Sequence, residues 1–126
     1  MVLLHGATLD HRAWAPQAEA LGDRFRLVIP DLRAHGQSSG SFDFGAAVED
    51  EFALLDGMPR ERVVLVGHSL GGNLAQEMVR RAPDRVSAIV VADATCNNGV
   101  RHPLATALTA VGVRRMETLP VMFQVR

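Results

Sequence analysis

The sequence predicts a doubly wound α/β domain, with a mostly parallel sheet of about four strands and helices on both faces. Three observations carry this. Short apolar runs alternate with longer amphipathic stretches, each apolar run is rich in β-branched residues, and each is closed by turn formers. Strand followed by helix, repeated three times, implies parallel strands joined by crossovers.

The four apolar runs are Val2-Leu3-Leu4, Arg26-Leu27-Val28-Ile29, Val63-Val64-Leu65-Val66 and Ala88-Ile89-Val90-Val91-Ala92. They end at His5-Gly6, Pro30-Asp31, Gly67 and Asp93. Runs this short, apolar throughout, read as strands buried on both faces. Helices are expected over residues 12–21, 44–55 and 69–82, the last stopped before Pro83. In the second, Ala47, Val48, Phe52 and Leu55 form the stripe that would face the sheet. After Asp93 the alternation lapses. Residues 1–126 therefore read as one domain, with a core over 1–94 and the start of a lid or cap over 95–126.

Composition excludes several function classes. With 48% hydrophobic and 21% charged residues the chain is ordinary globular material. Its formal net charge of -1 gives no electrostatic case for nucleic acid. No run approaches the ~18 apolar residues of a membrane span, and Met1-Val2-Leu3-Leu4-His5-Gly6 has no basic leader region. The single cysteine, Cys96, can make neither an internal disulfide nor a zinc site. A cytoplasmic setting is expected, with no cofactor and no metal.

Parallel sheets bind ligands at the carboxyl ends of their strands, where His5-Gly6, Asp31, Ser69 and Asp93 all fall. Gly67-His68-Ser69-Leu70-Gly71 fits G-x-S-x-G directly after a strand and at the opening of a helix. That context suits a sharp turn that lifts a serine hydroxyl above the sheet at a helix N-terminus. Glycines flank it because side chains there would strike neighbouring backbone. Ser69 is the expected nucleophile. The Leu70 and Ala7 backbone N–H groups are the expected oxyanion donors, Ala7 through the turn that Gly6 allows. His68 points away from the hydroxyl in such a turn and is expected to pack. His5 and His35 are expected to brace their loops, and Asp31 to cap backbone donors.

With these residues in view, the chain resembles the α/β-hydrolase superfamily, in its single-domain esterase, lactonase, haloperoxidase and carbon–carbon hydrolase branch. Leu3-Leu4-His5-Gly6 followed by Trp14 is similar to the family's oxyanion strand and first helix. Asp31-Leu32-Arg33-Ala34-His35-Gly36-Gln37-Ser38 is similar to its D-x-R-G-H-G-x-S loop, with Ala34 where glycine is usual. Val66 to Gly72 is similar to its nucleophile elbow.

The resemblance implies a partial, truncated α/β-hydrolase fold whose strands are the third to sixth of eight. It also implies a small-molecule acyl substrate attacked through an acyl-enzyme. The family order Ser…Asp…His is met by Ser69, Asp93 as candidate acid and His102 as candidate base. A second reading is a non-catalytic remnant or interaction module with an elbow but no base. Exposed sheet edges would then suit a homo-oligomer.

Overall fold

The structure, a computed structural model, describes residues 1–59 and 62–95. His102 and the expected lid from residue 96 onward lie outside the described residues. Among the described residues, three strands form one parallel sheet: β1 (Val2–Leu4), β2 (Val63–His68) and β3 (Val86–Ala92), in the order β1-β2-β3.

The run 26–29 departs from expectation. It joins the sheet only through Val28, bridged parallel to Val2 on the free side of β1. Leu3 N–H donates to the Val28 carbonyl at 2.9 Å, and Val28 N–H to the Met1 carbonyl at 2.9 Å. The physical reason is local. β1 is three residues long, and Pro30, which follows the run, has no N–H to extend the ladder. Even so, Val28 fixes the spatial sequence: the second run lies outside β1, while β2 and β3 lie on its other side.

Three α-helices join these strands: α1 (Ala15–Leu21), α2 (Phe44–Asp56) and α3 (Leu70–Arg81). The first expected helix opens as a 3-10 turn over His11–Trp14, capped by the Asp10 side chain on Arg12 N–H, and becomes α-helical with Pro16 in its first turn. Asp43 caps α2 through Ala46 N–H at 2.7 Å.

The strands alternate their side chains between two faces. Val2, Leu4, Val63 and Leu65 pack with Ala47, Val48, Leu55, Leu74, Ala75 and Met78 of α2 and α3. Leu3 and Val66 pack with Trp14 on the opposite face. Both faces of β1 are therefore covered, whereas Ser87 and Ala88 of β3 stay exposed and α1 buries no residue. The expectation of strands buried on both faces thus holds for β1 and not for β3, which lies at the edge of the described sheet.

On α2 the buried residues are Ala47, Val48, Glu51 and Leu55. Phe52, expected in the stripe, sits at its margin with the Arg81 guanidinium 5.0 Å from its ring centre. Glu51 takes the inward place and is only 3% exposed. Burial, reinforced by the neighbouring Asp50 charge, pushes its carboxyl up to about 7.

Two predictions follow from these positions. Ala34 has φ 64°, a left-handed conformation that costs a residue with a Cβ. Ala34→Gly should raise stability by about 0.5–1 kcal/mol, since relieved strain exceeds the added chain entropy. A urea midpoint that does not rise would refute it. For Glu51, the folded value of about 7 exceeds the unfolded 4.5. The stability its protonated form contributes is whole below about 4.5 and is lost as pH rises to about 7. That gap is worth at most about 3 kcal/mol. Glu51→Gln should therefore be the more stable protein at pH 8, with the advantage shrinking toward pH 5. Parallel stability–pH curves for the two proteins would contradict this.

Candidate active site

Chain order and spatial order diverge between β1 and β2. From β1 the chain moves outward to Val28, then returns past β1 to β2 and continues away to β3. The crevice at the carboxyl ends of β1 and β2 is thus a topological switch point, where sheets of this kind bind ligands. Gly6 leaves β1 there and Ser69 leaves β2.

Ser69 joins β2 to α3 with φ 50° and ψ −114°, outside the ordinary regions for a residue with a side chain. Its geometry is over-determined from both neighbouring strands. Ser69 N–H donates to the Ala92 carbonyl of β3 at 2.9 Å, and Gly71 N–H donates to the His5 carbonyl beyond β1 at 3.1 Å. The glycines are required by space. A Cβ on Gly67 would stand 2.3 Å from the Gly71 carbonyl oxygen, and one on Gly71 would stand 2.1 Å from that of Leu4. A Cβ on Gly72 would meet Ala94 Cβ at 2.6 Å. Leu70 opens α3, so its N–H belongs to the first turn, which has no intrahelical acceptor.

The β1 exit lies against this turn. A Cβ on Gly6 would stand 3.4 Å from Ser69 Cβ and 2.7 Å from His68 Nδ1. Ala7, the next residue, is exposed, and Leu9 N–H closes the turn onto the Gly6 carbonyl at 3.2 Å. The His68 ring thus packs behind Gly6. Its Nε2 lies 3.9 Å from Oδ2 of Asp93, whose side chain is 92% exposed.

Among the described residues, the non-glycine positions with positive φ are Thr8, Ala34, Ser69 and Asp93. Each follows a different one of the four apolar runs, so all four strained positions gather on one edge of the sheet. Such strain persists only where the surroundings impose it, and it concentrates at functional sites.

The other expected site residues brace this edge. His5 is fully buried. Its Nε2 accepts Leu32 N–H at 3.0 Å, so the proton sits on Nδ1, which donates to the Gly6 carbonyl at 2.8 Å. Burial lowers its pKa and keeps it neutral. His35 Nδ1 donates to the Arg33 carbonyl at 2.8 Å, with its ring edge-on to His5.

Asp31 accepts His11 N–H at 2.7 Å, the His11 ring at 2.8 Å and Gln37 N–H at 2.9 Å. Burial alone would raise its carboxyl, but these donors outweigh it and hold the group at about 2. His11 is a partner that the sequence did not single out. Its only signal was a histidine one residue after a capping aspartate.

Asp10, His11 and Asp31 bring three ligand-type atoms within 4.8 Å of one another. Their lone pairs are spent on structural bonds, however, since Asp10 is engaged by both Nε and Nη2 of Arg12. Among the described residues, the hydrogen bonds of the histidines go to these partners and not to Ser69.

The elbow geometry makes a direct prediction. Gly71→Ala drives a Cβ into backbone that no rotamer can move, so it should cost about 2–3 kcal/mol or more. Gly57→Ala meets only ordinary contacts at 3.5 Å or beyond and should change stability by less than about 0.5 kcal/mol. Equal urea midpoints for the two variants would refute the packing argument.

Comparison with known proteins agrees with the geometry. The chain is 39% identical over 98 residues to a pimeloyl-[acyl-carrier protein] methyl ester esterase of Salmonella heidelberg (strain SL476), a match covering 76% of this chain and 37% of that protein. Among solved structures it is similar to a thermophilic esterase from Thermogutta terrifontis, with TM-score 0.70, 34% identity, and coverage of 75% of this chain and 36% of that one. It is also similar to E-2-(acetamidomethylene)succinate hydrolase, with TM-score 0.71, 30% identity, and coverage of 77% and 37%. The matched region thus spans little more than a third of each relative's length. The sequence profile of the alpha/beta hydrolase family matches residues 1–124. With the strained serine turn, the glycines that make room for it and the parallel sheet beneath, this chain belongs to the alpha/beta hydrolase family.

Proposed function

We propose that the chain carries the nucleophile and oxyanion half of a serine hydrolase acting on a small ester, lactone or related acyl substrate. The observation that carries this reading is the conformation of Ser69. A serine with φ 50° and ψ −114°, its N–H bonded to β3 and the following Gly71 N–H bonded to the His5 carbonyl, is held in a costly geometry at the switch point of the sheet. Packing alone gives no reason for a hydroxyl there.

In this reading Ser69 Oγ attacks the substrate carbonyl and forms an acyl-enzyme that water later hydrolyses. The Leu70 and Ala7 N–H groups donate to the oxygen that becomes negative. One such donor is typically worth about 3 kcal/mol of transition-state stabilisation. The neutral, doubly bonded His5 fixes Gly6 and so holds the Ala7 amide in place.

The hydroxyl needs a base and the base an acid. Asp93 is the candidate acid, at the exit of the strand beside Ser69, and His102 the candidate base, outside the described residues. The esterases among its relatives support an acyl substrate. No helix of the described residues is long and apolar enough to cross a membrane.

The test is covalent labelling by a fluorophosphonate, located by mass spectrometry, with Ser69→Ala as control. Labelling at Ser69 within minutes, lost in the variant, is the expected result. His102→Ala should then slow it by at least about a hundredfold, the usual contribution of a general base. A folded protein that stays unlabelled would overturn the hydrolase reading in favour of an interaction module with an unpowered elbow.

A further inference from the structure

A polar cavity lies away from the elbow. It is open, about 390 Å³, and lies between the loop after Val28 and α2, with Asp31, Arg33, Ser38, Asp50 and Glu51 among its lining residues. Neither Ser69 nor Gly6, His68 or Asp93 is among its walls. The charged side chains that line it are already committed, with one exception, and so is the Ser38 hydroxyl. Arg33 spends Nε and Nη2 on the two oxygens of Asp50, both at 2.7 Å. Asp31 is held by His11 and Gln37. Ser38 Oγ donates to the Asp31 carbonyl at 2.7 Å.

The exception is Glu51. It is 3% exposed, and its Oε2 is buried with no hydrogen-bond partner. A buried carboxylate without a donor is costly and is normally either protonated or paired with a cation. Arg33, the cation in the wall, cannot turn to it without giving up a two-bond pair with Asp50. The charged groups facing the cavity are three carboxylates, Asp31, Asp50 and Glu51, against one guanidinium. The uncompensated charge is therefore negative, and an anion is excluded.

We propose that this cavity binds a primary ammonium group, with the Glu51 carboxylate as its counter-charge and the Ser38–Gly40 segment as part of its wall. The ammonium has three donors on one compact head and suits a site whose open valence is a carboxylate oxygen. Pairing would also remove the incentive for Glu51 to hold its proton, so binding releases a proton near neutrality and tightens as pH rises. This inference is independent of the reading of Ser69.

The test is NMR titration of the ¹⁵N-labelled chain with methylammonium chloride at pH 8, with sodium chloride at equal ionic strength as reference. Saturable shifts of the Ser38, Ser39, Gly40 and Glu51 amides are expected with methylammonium and not with sodium. Glu51→Gln keeps the shape and removes the charge. It should weaken binding by about tenfold to a hundredfold, the usual worth of a charge-assisted bond, while amides elsewhere stay unshifted.

In the unmutated chain the affinity should fall severalfold from pH 8 to pH 6. A capped lysine amide tests the source of the ammonium. If it binds as well as methylammonium, a polypeptide side chain is the ligand; if it is excluded, a free small amine is. No saturable shift with either, or shifts that survive Glu51→Gln unchanged, would overturn the proposal and leave Glu51 as a carboxyl that simply remains protonated.

Discussion

The close approach of α3 to β1 is the constraint on which the rest of the sheet edge depends. Gly71 N–H reaches the His5 carbonyl at 3.1 Å only because no Cβ stands between α3 and the Leu4 carbonyl. That contact sets how deeply the helix sits on the sheet. Its depth leaves β2 so little room to become α3 that Ser69 takes up a left-handed φ. It also presses the β1 exit against the turn, so that Gly6 lies beside Ser69 and in front of the His68 ring. The position of the hydroxyl follows from backbone packing, before any side-chain chemistry is considered.

Around that contact the loops are tied to each other more than to the sheet. His5 links the β1 exit to the next loop by accepting Leu32 N–H and donating to Gly6. Asp31 links the same loop forward to Gln37 and back to His11. Gly36 is needed there because a Cβ would stand 2.3 Å from the Asp31 carboxyl carbon. The two His5 bonds are buried and the His11–Asp31 bond is half-buried, each to a backbone group and worth more than a surface ion pair. The His5–Leu32 and His11–Asp31 bonds cross-link segments far apart in sequence. The Arg12–Asp10 and Arg80–Glu77 pairs, exposed and close in sequence, add little by comparison. Rigidity at the sheet edge therefore rests on neutral or fully engaged groups, which is what a preorganised site needs.

The parts of this arrangement that were legible in the sequence are those set by local chemistry. β2 and β3 could be read because β-branched runs bounded by glycine and aspartate have few other uses. The elbow could be read because Gly67, Ser69 and Gly71 form a pattern contained in five residues, although the backbone that Gly71 makes room for is that of Leu4. What was not legible depended on neighbours distant in the chain. Residues 26–29 have the composition of a strand, yet how many of them pair is decided by the length of β1. The partnership of His11 with Asp31 spans twenty residues and leaves no periodic trace. Phe52 and Glu51 exchanged places for the same reason. Hydropathy assigned Phe52 to the core, but the helix phase set by Ala47, Val48 and Leu55 turns position 51 inward.

That last exchange bears on how function is written into such a chain. A sequence chosen for stability alone would place an apolar residue at position 51, since the inward phase is fixed and an unpaired buried carboxyl is among the more expensive side chains to fold around. Ala34, kept in a left-handed loop where glycine would relax, is a smaller cost of the same kind. Local and global preferences agree along most of this chain, as they must for it to fold to one structure. Where they disagree, Thr8, Ala34, Ser69 and Asp93 lie on the carboxyl edge of the sheet and Glu51 in the wall of the cavity under the loop that follows Val28. Disagreement scattered at random would indicate a poorly adapted sequence. Disagreement gathered in this way is what the proposed roles of Ser69 and Glu51 require, because a ligand's contribution, absent from the folding balance of the free chain, can offset costs localised at its site.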